Sequence, residues 1–159
     1  PLHGGTLDNK VVQTLARAFV ELGYSAWRPN FRGVGASEGR HDEGRGEVDD
    51  LAAVVEFAKS ENPVLAGFSF GAAAQAKLAQ RVKPLRMVLV GLAVTHSDVP
   101  PVPPDTILIH GANDQTVPLA AVLAWAEPQD LPVVVVPGAD HFFHRRLQVL
   151  RAIVRNGWR

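Results

Sequence analysis

Residues 67–71 read Gly67-Phe68-Ser69-Phe70-Gly71, and they stand between two stretches of opposite character. Upstream lies Pro63-Val64-Leu65-Ala66, short and apolar, the pattern of a strand buried in a parallel sheet. Downstream lies Ala72-Ala73-Ala74-Gln75-Ala76-Lys77-Leu78-Ala79-Gln80-Arg81, a run of good helix formers without Gly or Pro. A strand therefore ends, one serine stands at the turn, and a helix begins. Such a turn lifts the serine hydroxyl clear of the sheet and aims the next amide, Phe70 N–H, at a developing oxyanion. Bulky side chains at Gly67 or Gly71 are expected to collide with the adjoining strand and helix. The competing reading is a glycine-rich turn with an exposed serine, and only partner residues elsewhere in the chain separate the two.

On the N-terminal side, Pro1 to Thr6 has turn chemistry, and Thr6 or Asp8 is the expected cap of a first helix. Val11, Val12, Leu15, Ala16, Phe19 and Val20 recur at helical spacing and predict its buried stripe, with Gly23 as the stop. Tyr24 to Phe31 reads as a strand, followed by the loop Arg32-Gly33-Val34-Gly35-Ala36-Ser37-Glu38-Gly39. This loop is no dinucleotide fingerprint, because its third glycine comes one place late and no helix opens there. Glu47 to Ser60 is the next predicted helix, with Val48, Leu51, Ala52, Val54, Val55 and Ala58 inward and Glu47, Asp49 and Asp50 elsewhere.

On the C-terminal side, Leu85 to Ala93, Thr106 to His110 and Leu131 to Val136 read as strands. Thr95 to Asp105 is a short proline-rich link, a short helix starts after Pro118, and a final helix is expected from about Phe143 to Asn156. Strands alternating with helices give an α/β fold with a parallel sheet, read here as one domain over residues 1–159. Sites in such sheets lie beyond the carboxyl ends of the strands. That rule selects Ser69, Asp114 and His141, each in the loop directly after an apolar strand.

Each of these has a competitor. Asp140 adjoins His141, but neighbours in a tight turn rarely face each other, which favours Asp114 as the acid. His110 ends a strand and reads as a structural hydrogen-bonding group, and His144 as a solvent-facing residue on the last helix. His41 with Asp42 and Glu43 is a conceivable metal cluster but reads better as a polar loop. Arg32 is expected to tie down its own loop, a substrate-carboxylate clamp being the alternative.

The order serine, acid, histidine is that of the α/β-hydrolases. The chain resembles that superfamily at Asn30 to Ser37, at Gly67 to Gly71, from His110-Gly111 through Asp114 to Val117-Pro118, and at Gly138 to Phe143. Within it, the chain is similar to the small lidless bacterial serine hydrolases near the dienelactone-hydrolase group. Dienelactone hydrolases carry a cysteine nucleophile where this chain has Ser69, so their substrate does not transfer. The resemblance implies a mostly parallel central sheet with helices on both faces. It also implies attack by Ser69, general base catalysis by His141, orientation by Asp114 and an oxyanion site at Phe70 N–H. The second oxyanion donor is expected at Leu2 or just before Pro1. Phe68 and Phe142 are the expected acyl-pocket residues, with Phe70 and Phe143 beside them as pocket or core. Set against the family's sheet, the visible strands are too few: a strand is missing between Tyr24–Phe31 and the strand of the elbow. The expectation is that the missing strands precede Pro1.

The reaction expected from the resemblance is hydrolysis of small, accessible esters. The alternatives are acyl transfer or peptidase work by the same residues, or a binding protein on a hydrolase scaffold. Sixteen basic and sixteen acidic residues cancel, so nothing marks nucleic acid or an anionic membrane as a partner. The chain has no cysteine, which excludes disulfides, thiolate metal sites and a cysteine nucleophile. The expectation is an enzyme without metal or cofactor, placed in the cytoplasm, its oligomeric state unread.

Overall fold

The computed structural model describes residues 1–158. In chain order the elements are α1 (Lys10–Glu21), α2 (Arg45–Phe57), β1 (Val64–Phe68), α3 (Phe70–Leu78), β2 (Arg86–Val90), β3 (Ile107–Gly111), α4 (Leu119–Ala126), a 3-10 turn at Glu127–Gln129, β4 (Val133–Val136) and α5 (Leu147–Gly157). The four strands form one parallel sheet in the order β1-β2-β3-β4. Gly67 lies opposite Leu89, Leu89 opposite Leu108 and Leu108 opposite Val133. Parallel strands need crossovers, and α3 and α4 supply two of them.

Alternate residues of each strand face opposite sides of a sheet. Leu65, Met87, Leu89 and Leu108 pack with Leu51 of α2, the alanines of α3 and Val122 of α4. Phe68, Val88, Val90, Ile107 and Ile109 pack on the other face with Val11, Leu15 and Phe19 of α1 and Leu150 and Val154 of α5. Both faces are thus covered, which is why the strands read as unbroken apolar runs. The small residues Ala72, Ala73, Ala74 and Ala76 let α3 lie close against the sheet, and all four are buried.

Several expectations are corrected. Tyr24–Phe31 forms no strand, and Ser25, Ala26 and Trp27 are exposed; the segment does not pair with β1, in line with the expectation of a strand missing between them. Strand propensity alone cannot make a strand, because the ladder bonds come from a neighbour. This segment is held instead by side chains: Asn30 Oδ1 accepts from Leu7 N–H at 2.8 Å, and Ser37 Oγ donates to Asn30 O at 2.9 Å. Among the described residues β2 is the sole strand partner of β1, so one backbone edge of β1 is open. An apolar cavity of about 810 Å³ runs along that edge, lined by Phe19, Tyr24, Pro29, Val55, Leu65 and, at one end, Ser69.

Asn9, not Thr6 or Asp8, caps α1: its Oδ1 accepts from Val11 N–H at 2.9 Å and Val12 N–H at 3.3 Å. Val20 falls outside the stripe and is exposed. Helix α2 starts two residues earlier than expected, and Glu47, which lies off the predicted apolar stripe, is fully buried. Helix α5 starts at Leu147, because Phe143 and Arg145 adopt left-handed φ values of 54° and 59° that a helix does not accommodate.

Candidate active site

Ser69 ends β1 and opens α3 with φ 53° and ψ −119°, outside the regions open to most L-residues. The surrounding backbone enforces this conformation. Ser69 N–H donates to Val90 O at 2.9 Å, and Ser69 O accepts from Ala73 N–H at 3.2 Å. A Cβ on Gly67 would lie 2.6 Å from Gly71 O and 2.7 Å from Ala72 N, so the turn requires glycine there. Gly71 differs from expectation: a Cβ there would meet only the Phe31 ring, at 3.9 Å.

Asp114 and His141 reach the serine from the loops after β3 and β4. Gly111 makes their meeting possible, since a Cβ there would sit 2.5 Å from Ala139 O. The two loops then join through Asn113 N–H to Ala139 O at 2.9 Å. His141 Nδ1 lies 2.7 Å from Asp114 Oδ2, and His141 Nε2 lies 3.0 Å from Ser69 Oγ. A carboxylate only accepts, so Nδ1 donates to it and Nε2 is left to accept the serine proton. Asp114 Oδ1 accepts from the amides of Thr116 at 2.9 Å and Val117 at 2.8 Å. Burial opposes its ionisation. The hydrogen bonds from His141 and Val117 N–H, with the nearby imidazoles, outweigh burial and hold the carboxyl below its ordinary pKa.

The competitors fall elsewhere. Asp140 accepts from His144, with Nδ1 2.6 Å from Oδ2, and not from His141. His144 is exposed, in the turn before α5 rather than on its first turn. His110 is buried and its Nε2 donates to Val117 O at 2.9 Å, so it serves the Asp114 loop from below. Arg32 grips Asp50 with two bonds of 2.8 and 2.7 Å, which ties its loop to α2 and occupies the guanidinium. His41 Nδ1 lies 2.8 Å from Glu47 Oε1, and no group of three metal-ligating side chains exists among the described residues.

Of the expected pocket residues, Phe68 is buried with its ring 4.9 Å from that of His141. Phe142 is 48 % exposed, stands at the mouth and meets the Phe68 and His141 rings at 5.8 and 5.2 Å. Phe143 is core. Leu2 is exposed in the first turn of the chain, and its neighbours Pro1 and His3 line the cavity that reaches Ser69.

One residue escaped the sequence reading. Gly91 follows β2 with φ 55°, and a Cβ there would stand 3.3 Å from His141 Cε1 and 3.2 Å from Phe68 Cε2. Its bare Cα makes the seat for the imidazole. The sequence reading carries the strand on to Ala93, whereas β2 ends at Val90, and that shift puts Gly91 at the carboxyl end where Ser69, Asp114 and His141 also lie.

Comparison with known proteins identifies the family. A serine hydrolase homologue from Coxiella burnetii is 40 % identical, with a TM-score of 0.88 over 100 % of this chain and 81 % of its own. A serine hydrolase without a lid from Xanthomonas campestris is 40 % identical, with a TM-score of 0.89 over 97 % of this chain and 74 % of its own. An uncharacterised protein of Rickettsia prowazekii is 31 % identical over 93 % of this chain and 70 % of its own. The family model described as "Serine aminopeptidase, S33" matches residues 2–131, and the chain belongs to that family of α/β-hydrolases.

Proposed function

We propose that the chain hydrolyses carboxylic esters of small, accessible acyl groups, with Ser69, His141 and Asp114 as its catalytic residues. The observation that carries this reading is the continuous relay of 3.0 Å and 2.7 Å from Ser69 Oγ through the His141 ring to Asp114. Ser69 Oγ bonds to the acyl carbon while its proton passes to His141 Nε2. The tetrahedral oxyanion takes a hydrogen bond from Phe70 N–H, with Leu2 N–H as the second donor. The C–O bond then breaks, the alcohol leaves with the proton from His141, and an acyl-enzyme remains. Water repeats the sequence and releases the acid. Asp114 stays ionised throughout and favours the imidazolium formed at each step, in keeping with its lowered pKa. The exposed ring of Phe142 beside Phe68 gives an apolar acyl group a surface at the mouth of the site.

The family's name favours a second reading, removal of an N-terminal amino acid from a peptide. Such a substrate brings an ammonium group that needs an anionic partner. Asp140, the nearest carboxylate in sequence to His141, is engaged by His144, which supports the ester reading. A fluorophosphonate probe followed by a panel of p-nitrophenyl esters and aminoacyl p-nitroanilides tests both. Labelling lost in Ser69→Ala, with ester turnover above anilide turnover, is the expected result. A folded chain that takes no label refutes the proposal, and faster anilide turnover replaces it with the second reading.

A further inference from the structure

Among the described residues two carboxylate side chains are fully buried: Asp114, and Glu47, which plays no part in the relay. Glu47 Oε1 accepts from Asp42 N–H and Oε2 from Gly44 N–H, both at 2.9 Å, closing residues 42–47 into a tight turn at the start of α2. The His41 imidazole sits at ion-pair distance, with Nδ1 2.8 Å from Oε1. Burial opposes ionisation of Glu47. The amides of Asp42, Glu47 and Gly44, and then His41, hold its carboxyl below the ordinary value. A buried, fully bonded carboxylate is a costly way to close a turn, and it fixes whatever it bonds in one orientation.

Beside this carboxylate stands the His41 ring, whose Nδ1 is at ion-pair distance but outside hydrogen-bond geometry. His41 packs on Phe70 with centroids 5.4 Å apart, and Phe31 meets Phe70 edge-on at 5.3 Å. Phe70 is thus held between two rings. It is also the first residue of α3, and its N–H donates to no protein group among the described residues, as is usual in the first turn of a helix. The peptide between Ser69 and Phe70 is held on its carbonyl side, where Ser69 O accepts from Ala73 N–H at 3.2 Å, and packing of the Phe70 ring adds a second hold at the Cα that carries the amide.

We propose that His41, set beside the buried carboxylate of Glu47, is a positioning residue. It clamps the Phe70 ring and so keeps Phe70 N–H aimed at the oxyanion. This rests on the ester-hydrolase reading and adds to it a support on the oxyanion side of the nucleophile. Loss of a whole oxyanion donor costs about 10²–10³ in rate, so loosening one is worth about tenfold.

The test compares His41→Ala, His41→Phe and Glu47→Gln in the full chain. It measures the rate of fluorophosphonate labelling, the inhibition constant of phenylboronic acid and the KM of a p-nitrophenyl ester. In labelling, Ser69 Oγ bonds to phosphorus, fluoride leaves and the proton passes to His141, with the phosphoryl oxygen in the oxyanion position. With phenylboronic acid, Ser69 Oγ bonds to boron while its proton passes to His141, giving a tetrahedral anion with one oxygen in that same place. His41→Ala is expected to slow labelling and weaken the boronate by the same factor, about tenfold, with KM unchanged. His41→Phe keeps a ring against Phe70 and is expected to recover most of the loss. Glu47→Gln falls between, and if it does not fold the two His41 variants decide. Wild type labelled at Ser69 with His41→Ala equally fast, or His41→Phe as slow as His41→Ala, overturns the inference alone. Wild type that takes no label overturns it together with the ester reading.

Discussion

Gly91 is where one methyl group separates fold from reactivity. Gly91→Ala asks Ala to adopt φ 55°. That conformation costs an L-residue about 1–2 kcal/mol relative to its ordinary regions. The new Cβ would also stand 3.3 Å from His141 Cε1 and 3.4 Å from Nδ1, so the ring must give by a few tenths of an ångström. A misplacement of 1 Å costs about a hundredfold in rate, so a third of that predicts a loss of about fivefold. The control is Gly23→Ala. Gly23 has φ 92° but nothing within 4 Å of an added Cβ, so it carries backbone strain without touching the site. Urea unfolding is expected to show both variants destabilised by about 1–2 kcal/mol. Fluorophosphonate labelling under native conditions is expected to slow only in Gly91→Ala. Equal labelling rates for Gly91→Ala and Gly23→Ala would refute the argument that Gly91 seats the imidazole.

Ser69→Gly should stabilise the chain by about 1 kcal/mol in urea unfolding, because glycine accepts φ 53° freely, while labelling disappears. Gly67→Ala should cost about 3 kcal/mol or prevent folding, since its Cβ has backbone atoms at 2.6 and 2.7 Å. Gly71→Ala should fold normally, which circular dichroism melts of the pair would show. Asp114→Asn should lower ester kcat by about 10⁴, through loss of the carboxylate that sets the His141 tautomer. The folded-state pKa of Asp114 is depressed, so its share of stability is present above the unfolded carboxyl pKa and is lost as pH falls through the folded value. Urea midpoints should therefore drop less steeply below about pH 4 in the Asn variant than in the wild type.

The proposed site was legible in the sequence wherever its residues hang on a strand end. Ser69, Asp114 and His141 each follow a run such as Ile107-Leu108-Ile109, which only a buried parallel strand explains. Residues whose role depends on a distant neighbour were not legible. Tyr24–Phe31 has strand composition, but strand formation is settled by a partner's backbone, and β1 does not pair with it. Glu47 was placed off the apolar stripe by its charge, although Gly44 N–H and Asp42 N–H make an interior position tolerable for it. Thr6, Asp8 and Asn9 are all good cap residues, and local sequence does not rank three adjacent candidates. Gly91 reads as part of the strand Leu85 to Ala93, whereas β2 ends at Val90 and Gly91 lies just past it, beside His141.

The relay joins residues 72 and 27 positions apart in the chain, hung on β1, β3 and β4. No hairpin or single helix contains any two of its members. Closing such long loops is an entropic debt settled late in folding, after local helices have formed. On the proposed function, reactivity at Ser69 would report on the sheet as a whole: in refolding, helical ellipticity should return first, and the serine should become nucleophilic only when the last strand is in register.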